Sequence, residues 1–345
     1  MATLKDLATE CGVSTATVSN VLNGKENVSE ATRRKIISAI KASGYKPNFM
    51  ARGLRAAKTK TVGLIVEDIT LFSTPKIVEG IMSFCEERGY RTILENLRLY
   101  SKWGKGWYSR PEFFHLMQLA FREMISIKTD GIIYVAGHAR KIPMPDEEFP
   151  IPTVLAYSYS ANPGRQFIAI DDRNSARTMT EHLIANGHRK IALIKGTGKN
   201  IHTEERLAGF KDGLAAHGIS FEAELAADGN WTRESGFEAA ERIFSGGKEF
   251  SAFFCMNDEM AAGVYDSLRK RSLAPGEDIS VAGFDGRIFS AYLEPPLTTM
   301  SIPLEQIGRK SAELLVTQIE NADFSGDNDL IPCSLCSRKS VRNIN

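Results

Sequence analysis

No stretch of this 345-residue chain approaches the ~18 consecutive apolar residues of a membrane-spanning helix, which excludes a helical membrane protein. The opening Met1-Ala2-Thr3-Leu4-Lys5 leads into no apolar secretion segment, so the expected location is the cytoplasm. Cysteine is scarce. The five are Cys11, Cys85, Cys255, Cys333 and Cys336, an odd number that fits reduced thiols. Cys333 and Cys336 form a C-x-x-C, but no second pair or histidine cluster accompanies it, and zinc would need four ligands. A redox pair would need a helix N-terminus to activate a thiol, whereas this pair lies in a strand-like run and reads as structural. Catalytic signatures are missing as well. There is no G-x-S-x-G and no H-E-x-x-H. Lys195-Gly-Thr-Gly-Lys-Asn200 lacks the first Gly and the Ser/Thr of a phosphate-binding loop. His182 and His188 flank a helix end and read as capping or surface residues. No enzyme, metal site or cofactor is expected.

Net charge is also nearly absent, at +1, but it is unevenly placed. Residues 1–60 hold eleven Lys/Arg against four Asp/Glu, a surplus of +7 that leaves −6 for the remainder. A basic head on an acidic body points to a polyanionic partner for the head alone. Hydrophobic content of 43% and charged content of 25% fit a globular protein, and the length fits two or three folded units.

The head reads as three short helices. Leu4, Leu7, Ala8 and Cys11 recur at helical spacing, Thr3 is placed to cap them, and Gly12 ends the helix. Ser14 caps a second helix whose inner face is Val18, Val21 and Leu22. Thr15, Ala16, Thr17, Ser19 and Asn20 then point outward. Small polar side chains suit close approach to DNA, whereas a merely solvated face more often carries Glu and Lys. Ser29 caps a third helix, with Ile36, Ile37 and Ile40 as its buried stripe. Arg33, Arg34, Lys35 and Lys41 beside it are either phosphate clamps or a solvated basic face. After Pro47, Asn48 can cap a further helix carrying Met50, Ala51, Leu54 and Arg55. It is too short to be stable alone and suits a linker that folds on docking.

The order K-D-L-A…G-V-S-x-A-T-V-S-x-V-L-N-G…V-S-E-x-T-R-x-K-I…G-Y-x-P-N-x-x-A-R-x-L resembles the LacI/GalR (lactose-repressor/galactose-repressor) family of bacterial transcription regulators, without a gap through about residue 55. The resemblance implies that Thr15, Ala16 and Asn20 read base edges in the major groove. It implies that Ser14, Thr17, Ser19, Arg33, Arg52 and Arg55 contact phosphates, and that Leu54 wedges into the minor groove. Many members carry Arg where Asn20 stands. Asn pairs with adenine rather than guanine, so an altered operator base is expected. Paired hinges imply a homodimer on palindromic double-stranded operator DNA.

The body alternates short apolar runs with amphipathic stretches. Residues 62–66, 91–94, 131–135, 152–156, 167–170, 190–194, 252–255 and 279–282 read as strands. This β-α-β alternation predicts parallel sheets covered on both faces, and about eleven strands predict two of them. Ligands of such folds bind at the carboxyl ends of the strands, so a cleft between two sheets is the natural effector site.

Leu183–Ile194, Glu205–Phe210, Phe253–Gly263, Ile279–Asp285 and Leu297–Pro303 are similar to family signatures. They imply an α/β core of two doubly wound parallel-sheet subdomains, periplasmic-binding-protein-like, behind the small all-α helix-turn-helix domain. The expected bounds are 1–47 for the DNA-binding domain and 48–60 for the hinge. The core is expected over 61–341, with one subdomain at about 61–160 and 290–320 and the other at about 161–289 and 321–341. Chain crossovers are expected near 157–165, 286–292 and 318–330.

The same resemblance implies that Arg206, Asn257 and Asp285 contact the effector and that Trp231 is its aromatic platform. Their chemistry fits polyols. Arg206 with Asp285 as an ordinary ion pair, and Trp231 as plain core, are the alternatives. Where the family usually shows Asn-Pro-Phe-Phe, this chain has Leu71-Phe72-Ser73-Thr74, so a hydroxyl replaces an aromatic wall and Ser73 becomes a candidate contact. The family's Asp-Asn-x-x-Gly here reads Asp171-Asp172-Arg173-Asn174-Ser175. Residues 100–110 form a longer, more aromatic loop in which Trp103, Trp107 and Tyr108 either close over a ligand or serve a surface contact. Tyr157 is a further candidate.

The resulting expectation is a repressor of a carbohydrate-utilisation operon whose small-molecule effector is a sugar. The alternatives are a purine-type corepressor and, from a different class, a sugar-binding transport receptor. The absence of a heptad tail predicts no tetramer.

Overall fold

A computed structural model describes residues 2–22, 25, 27–45, 58–104, 106–145, 151–321, 323–324 and 326–345. The expected wedge Leu54 and the phosphate contacts Arg52 and Arg55 lie outside the described residues. The chain divides into two compact units, 1–59 and 60–345.

In the first unit, helices α1 (Leu4–Cys11), α2 (Thr15–Leu22) and α3 (Glu30–Ser43) enclose a minimal core. Thr3 and Asp6 form a complete capping box: Thr3 Oγ1 accepts the Asp6 N–H at 3.3 Å, and Asp6 Oδ2 accepts the Thr3 N–H at 2.8 Å. Gly12 takes φ +64°, the left-handed turn between α1 and α2 that costs glycine least. Leu7, Ala8, Cys11, Val18, Val21, Ile36 and Ala39 are buried. Ile37, expected in the stripe, is 42% exposed. Each helical residue turns ~100° from the last, so Ile36, Ala39 and Ile40 share a face and Ile37 is carried off it.

The second unit holds two six-stranded sheets. β1 (Thr61–Val66), α4 (Thr74–Glu87), β2 (Arg91–Asn96), α5 (Leu99–Trp103), α6 (Pro111–Ser126) and β3 (Gly131–Val135) begin the first. Short β4 (Lys141–Ile142), β5 (Thr153–Ala156), β6 (Tyr159–Ser160) and β7 (Phe167–Ile170) follow. After α7 (Asp172–Ala185) the second sheet is built from β8 (Ile191–Lys195), α8 (Ile201–Ala216), β9 (Ala226–Asp228), α9 (Arg233–Ser245), β10 (Ala252–Cys255), α10 (Asp258–Lys270), β11 (Ser280–Asp285) and β12 (Thr298–Ser301). The chain then returns through α11 (Leu304–Glu320) and β13 (Asp329–Ile331), and ends its strands with β14 (Ser334–Cys336). The orders are β13-β7-β5-β3-β1-β2 and β14-β12-β11-β10-β8-β9. Among the described residues only the β12–β14 pair is antiparallel. Both faces of each sheet carry helices, so β1, β3, β5, β10 and β11 are buried along their whole lengths.

The crossovers fall later than expected. β7 stays in the first sheet, because Leu155 and Ala156 pair with Phe167 and Ile168. β12 stays in the second, because Ala282 to Asp285 pair with Thr298 to Ser301. The chain therefore crosses at residue 171, at 302–303 and at 332–333. Buried parallel strands share one apolar pattern, so the pattern could not say which sheet each of them joins. Close helix packing fixes the first layer. A side chain on Gly308 would place its Cβ 2.0 Å from the Ile77 carbonyl oxygen, so α11 lies on α4 only because that position is glycine.

Candidate functional site

At the carboxyl ends of the two sheets lies a cavity of about 430 Å³. Its polar end is built on the second sheet. Arg206, on the first turns of α8, is 2% exposed. Its Nε donates to Asp172 Oδ1 at 2.6 Å, and its guanidinium also reaches the Met256 carbonyl and stacks 3.6 Å from the Phe284 ring. Asp285, at the end of β11, stands 3.7 Å from Arg206. The strong partner of Arg206 is thus Asp172, with Asp285 second. Burial alone would raise the Asp172 carboxyl, but His202 and Arg206 together hold it below its ordinary range. Burial pushes Asp285 up to about 8, with Arg206 opposing, and pushes the neighbouring Asp258 up to about 7. Asp258 sits behind the cavity, where Thr299 Oγ1 donates to it at 2.6 Å and the Arg287 N–H at 2.7 Å.

Trp231 forms the facing wall at φ +72°. Its ring lies over Gly196, where a Cβ would come within 1.9 Å of it, and its Nε1 donates to Thr197 Oγ1 at 3.2 Å. Asn257 lines the cavity, but much of its amide serves the fold. Oδ1 caps α10 by accepting the Met260 N–H at 2.9 Å, and Nδ2 donates to the Trp231 carbonyl at 3.0 Å. Asn257 therefore orients the Trp231 platform.

The first sheet supplies the apolar wall of Leu71, Phe72, Trp107, Tyr108 and Tyr157. Trp107 is buried, edge-on to Phe113 at 5.1 Å, with the Arg140 guanidinium 4.5 Å over its ring. Arg140 is itself fixed by the buried Glu67.

Three expectations are corrected. Ser73 does not line the cavity: it is fully buried at the start of α4, where its hydroxyl donates to the Gly137 carbonyl at 3.2 Å. Leu71 and Phe72 face the cavity instead, so the wall keeps an aromatic. Trp103 is not in the wall either. It ends α5 and packs on the core below, with Arg110 5.5 Å over its ring. His188, read as a capping or surface residue, is fully buried between Ser251 Oγ and the Arg342 carbonyl.

Sequence reasoning missed His202. Its Nε2 accepts the Ala139 N–H at 3.1 Å, which leaves the ring proton on Nδ1, 2.7 Å from Asp172 Oδ2. Ala139 follows β3 of the first sheet and Asp172 and His202 belong to the second, so this ring ties the two walls together. Its only sequence signal was the doubled Asp171-Asp172 at a departure from the family pattern. A second tie is Arg287, whose guanidinium lies 4.6 Å over the Phe72 ring.

In the head, Ser14 Oγ caps α2, accepting the Thr17 N–H at 3.1 Å. Ala16 is exposed, and Thr15, Thr17, Ser19 and Asn20 are half-buried around it, away from Val18 and Val21. Arg33 spends one guanidinium nitrogen on the Lys25 carbonyl at 2.5 Å, in the turn before α3.

The lacI family of bacterial regulatory proteins matches residues 3–48, and the periplasmic binding protein-like domain matches residues 180–341. The HTH-type transcriptional repressor PurR of Vibrio vulnificus is 31% identical over 347 residues, covering 100% of both chains. The chain belongs to the LacI family. It is accordingly a DNA-binding transcriptional regulator and not an enzyme. Two solved structures agree over nearly the whole length. The Lac repressor dimer bound to operator and the anti-inducer ONPF superposes with a TM-score of 0.79 at 26% identity, covering 99% of each chain. The complex of the transcriptional regulator CelR with cellobiose does so at 0.67 and 28%, covering 99% of this chain and 100% of that one. Among the described residues of this LacI-family chain no helix is long and apolar enough to cross a membrane, and no cluster of metal-ligating side chains occurs.

The raised carboxyls make a prediction about stability. Unfolded, Asp285 and Asp258 ionise near ~4; folded, they hold their protons to about 8 and about 7. Between these limits the two carboxyls bind more protons folded than unfolded, so their contribution to stability falls as pH rises from about 4 to 8; below ~6.5 it is opposed by His138, His182 and His188, which burial keeps from protonating. Urea denaturation at a series of pH values checks this. Asp285→Asn is expected to flatten the fall most between pH 6 and 8, and curves parallel to the wild type would contradict it.

Proposed function

We propose that the chain is a homodimeric repressor whose effector is a sugar, held by a neutral ring in the cavity between the sheets. The observation that carries this reading is the pairing of a charge-balanced polar end with aromatic faces. Arg206 is balanced by Asp172, and burial pushes the Asp285 carboxyl up to about 8. Such an end offers both donors and acceptors to hydroxyls without attracting an ion. Trp231 and Tyr108 offer flat faces to a ring's C–H groups. The cellobiose complex of CelR, a relative of the same length, adds weight to a sugar.

On the DNA side, Thr15, Ala16 and Asn20 read base edges. Ser14, Thr17, Ser19 and Arg33 contact phosphates, joined by Arg52 and Arg55 from the linker, with Leu54 as the wedge between paired hinges on a palindromic operator. The working compartment is the cytoplasm, where operator DNA resides. Closure of the cavity moves one sheet against the other and so alters the spacing of the hinges. A coupling of ~1–3 kcal/mol changes operator affinity about 5–150-fold.

The test is a thermal-shift screen of the full chain against neutral sugars, sugar phosphates and purines. A ligand at ~100 times its dissociation constant adds ~2.7 kcal/mol of stability. A sugar that shifts the melting point and changes operator affinity supports the reading. A shift with purines alone would replace it with the corepressor reading.

A further inference from the structure

A second cavity adjoins the 430 Å³ one. Tyr108, His138 and Asn200 line the first on one side and the second, of about 750 Å³, on the other. The two share those three residues as a common waist, and both open between the first and second sheets. Drug-sized ligands fill roughly 300–1,000 Å³, so the inner cavity alone suits one small ring system and the pair suits a longer molecule. The outer cavity also has apolar faces for a second ring, in Tyr108, Phe114 and Pro143.

The charges differ between the two ends. The inner end has no surplus of positive charge, because Arg206 is paired with Asp172 and has Asp285 at 3.7 Å. At the waist, burial and the neighbouring Arg140 push His138 down to about 3, so its ring is neutral. Among the described residues the outer cavity is lined by Arg110, Lys141 and Lys199 against one carboxylate, that of Glu204. Its other cation, Arg140, is already neutralised by Glu67. Among the described residues Arg110, Lys141 and Lys199 have no carboxylate partner. Among the described residues the charge therefore runs from balanced in the inner cavity to positive in the adjoining outer one, and an anionic group is favoured in the outer one only.

Resting on the sugar reading above, the geometry points to an effector of at least two sugar units. A neutral unit lies against Arg206 and Asp285, and a unit bearing a phosphate or carboxylate lies in the outer cavity beside Arg110, Lys141 and Lys199. Lys199 and Lys141 act as specificity determinants and stand on opposite walls, so the anion also bridges the two sheets. The loop residues 195–200, which carry no nucleotide-binding pattern, gain a role in holding this group.

The experiment is calorimetric titration of the full-length dimer with matched sets in gluco, galacto and manno configuration. Each set holds a monosaccharide, its neutral disaccharide, the disaccharide 6′-phosphate and the disaccharide 6′-uronate. The expected result is that an anionic disaccharide binds about tenfold or more tighter than its neutral counterpart at low salt, and that added salt erodes the advantage. The double variant Lys141→Gln/Lys199→Gln is expected to remove that advantage and leave the monosaccharide's affinity unchanged. A gain with the phosphate alone identifies a phosphorylated sugar, and an equal gain with the uronate identifies a general carboxylate or phosphate site. Equal affinity of neutral and anionic disaccharides overturns the proposal, as does a monosaccharide that binds as tightly as either. In both cases the sugar reading stands. Absence of binding by every sugar overturns both.

Discussion

Arg206→Met is expected to lower the stability of residues 60–345 by roughly 3–5 kcal/mol, and the melting point by about 10 °C. The guanidinium is fully enclosed and its partner Asp172 is completely buried. Methionine restores most of the stem's volume but none of the charge. Asp172 is then left with only His202 to compensate it, and a buried carboxylate that loses its partner costs far more than the pair contributed. Adding Asp172→Asn to Arg206→Met is therefore expected to recover a large part of the loss, because the orphaned charge disappears. Effector binding should remain absent in both, since the donor fork at the polar end is gone. Thermal denaturation of the two variants checks this. If the single variant melts with the wild type, or the second substitution makes matters worse, the network is not the keystone of the cavity.

The second large effect is expected at His202. Its ring accepts from Ala139 on one wall and donates to Asp172 on the other. His202→Leu leaves a buried N–H and a buried carboxylate oxygen without those partners, at a cost of about 1–3 kcal/mol each. The more informative consequence concerns coupling. Arg206 touches the cavity, Asp172 joins Arg206 to His202, and His202 joins Ala139, so occupancy at one wall is felt at the other through three hydrogen-bonded groups. Loss of the ring should reduce the ratio of effector affinities measured with and without operator DNA toward one, from the 5–150-fold typical of such coupling. His202→Gln, whose amide can donate to one side and accept from the other, is expected to restore part of it. A merely structural role would lower the melting point and leave the ratio unchanged. That outcome would remove His202 from the mechanism and leave the Arg287–Phe72 contact as the tie between the walls.

Much of this molecule is legible in its residue order. Gly12, Ser14 and the apolar spacing of α1 and α2 specify a helix-turn-helix locally, because caps and left-handed turns depend on neighbours within four positions. Strands such as Gly131–Val135 and Ala252–Cys255 are continuous apolar runs and stand out equally well. Within the site, Arg206, Asp285 and Trp231 were reached through family resemblance rather than through pattern. Ser73 was misread because a hydroxyl in a loop is equally consistent with facing solvent, ligand or a carbonyl. Its partner, Gly137, is 64 positions away. Trp103 and Trp107 sit four residues apart in one aromatic loop. Gly104 and Gly106, both at positive φ, separate them: Trp107 is buried in the core beside the cavity, and Trp103 is half-buried against that core.

The sequence by itself determined the helix-turn-helix, the alternation of strands and helices, and the contrast between a basic head and an acidic body. These rest on local propensity, on periodicity and on charge counting, all readable along the chain. Only the tertiary structure decided which strands join which sheet, and therefore where the chain crosses. It also decided that Asp172 rather than Asp285 is the main partner of Arg206, that His202 spans the cleft, and that a second, positively lined cavity continues the first. Each of these depends on groups tens to more than a hundred positions apart being brought within a few ångströms. Hydrogen bonds and charges act over such distances in space without leaving a periodic trace along the chain.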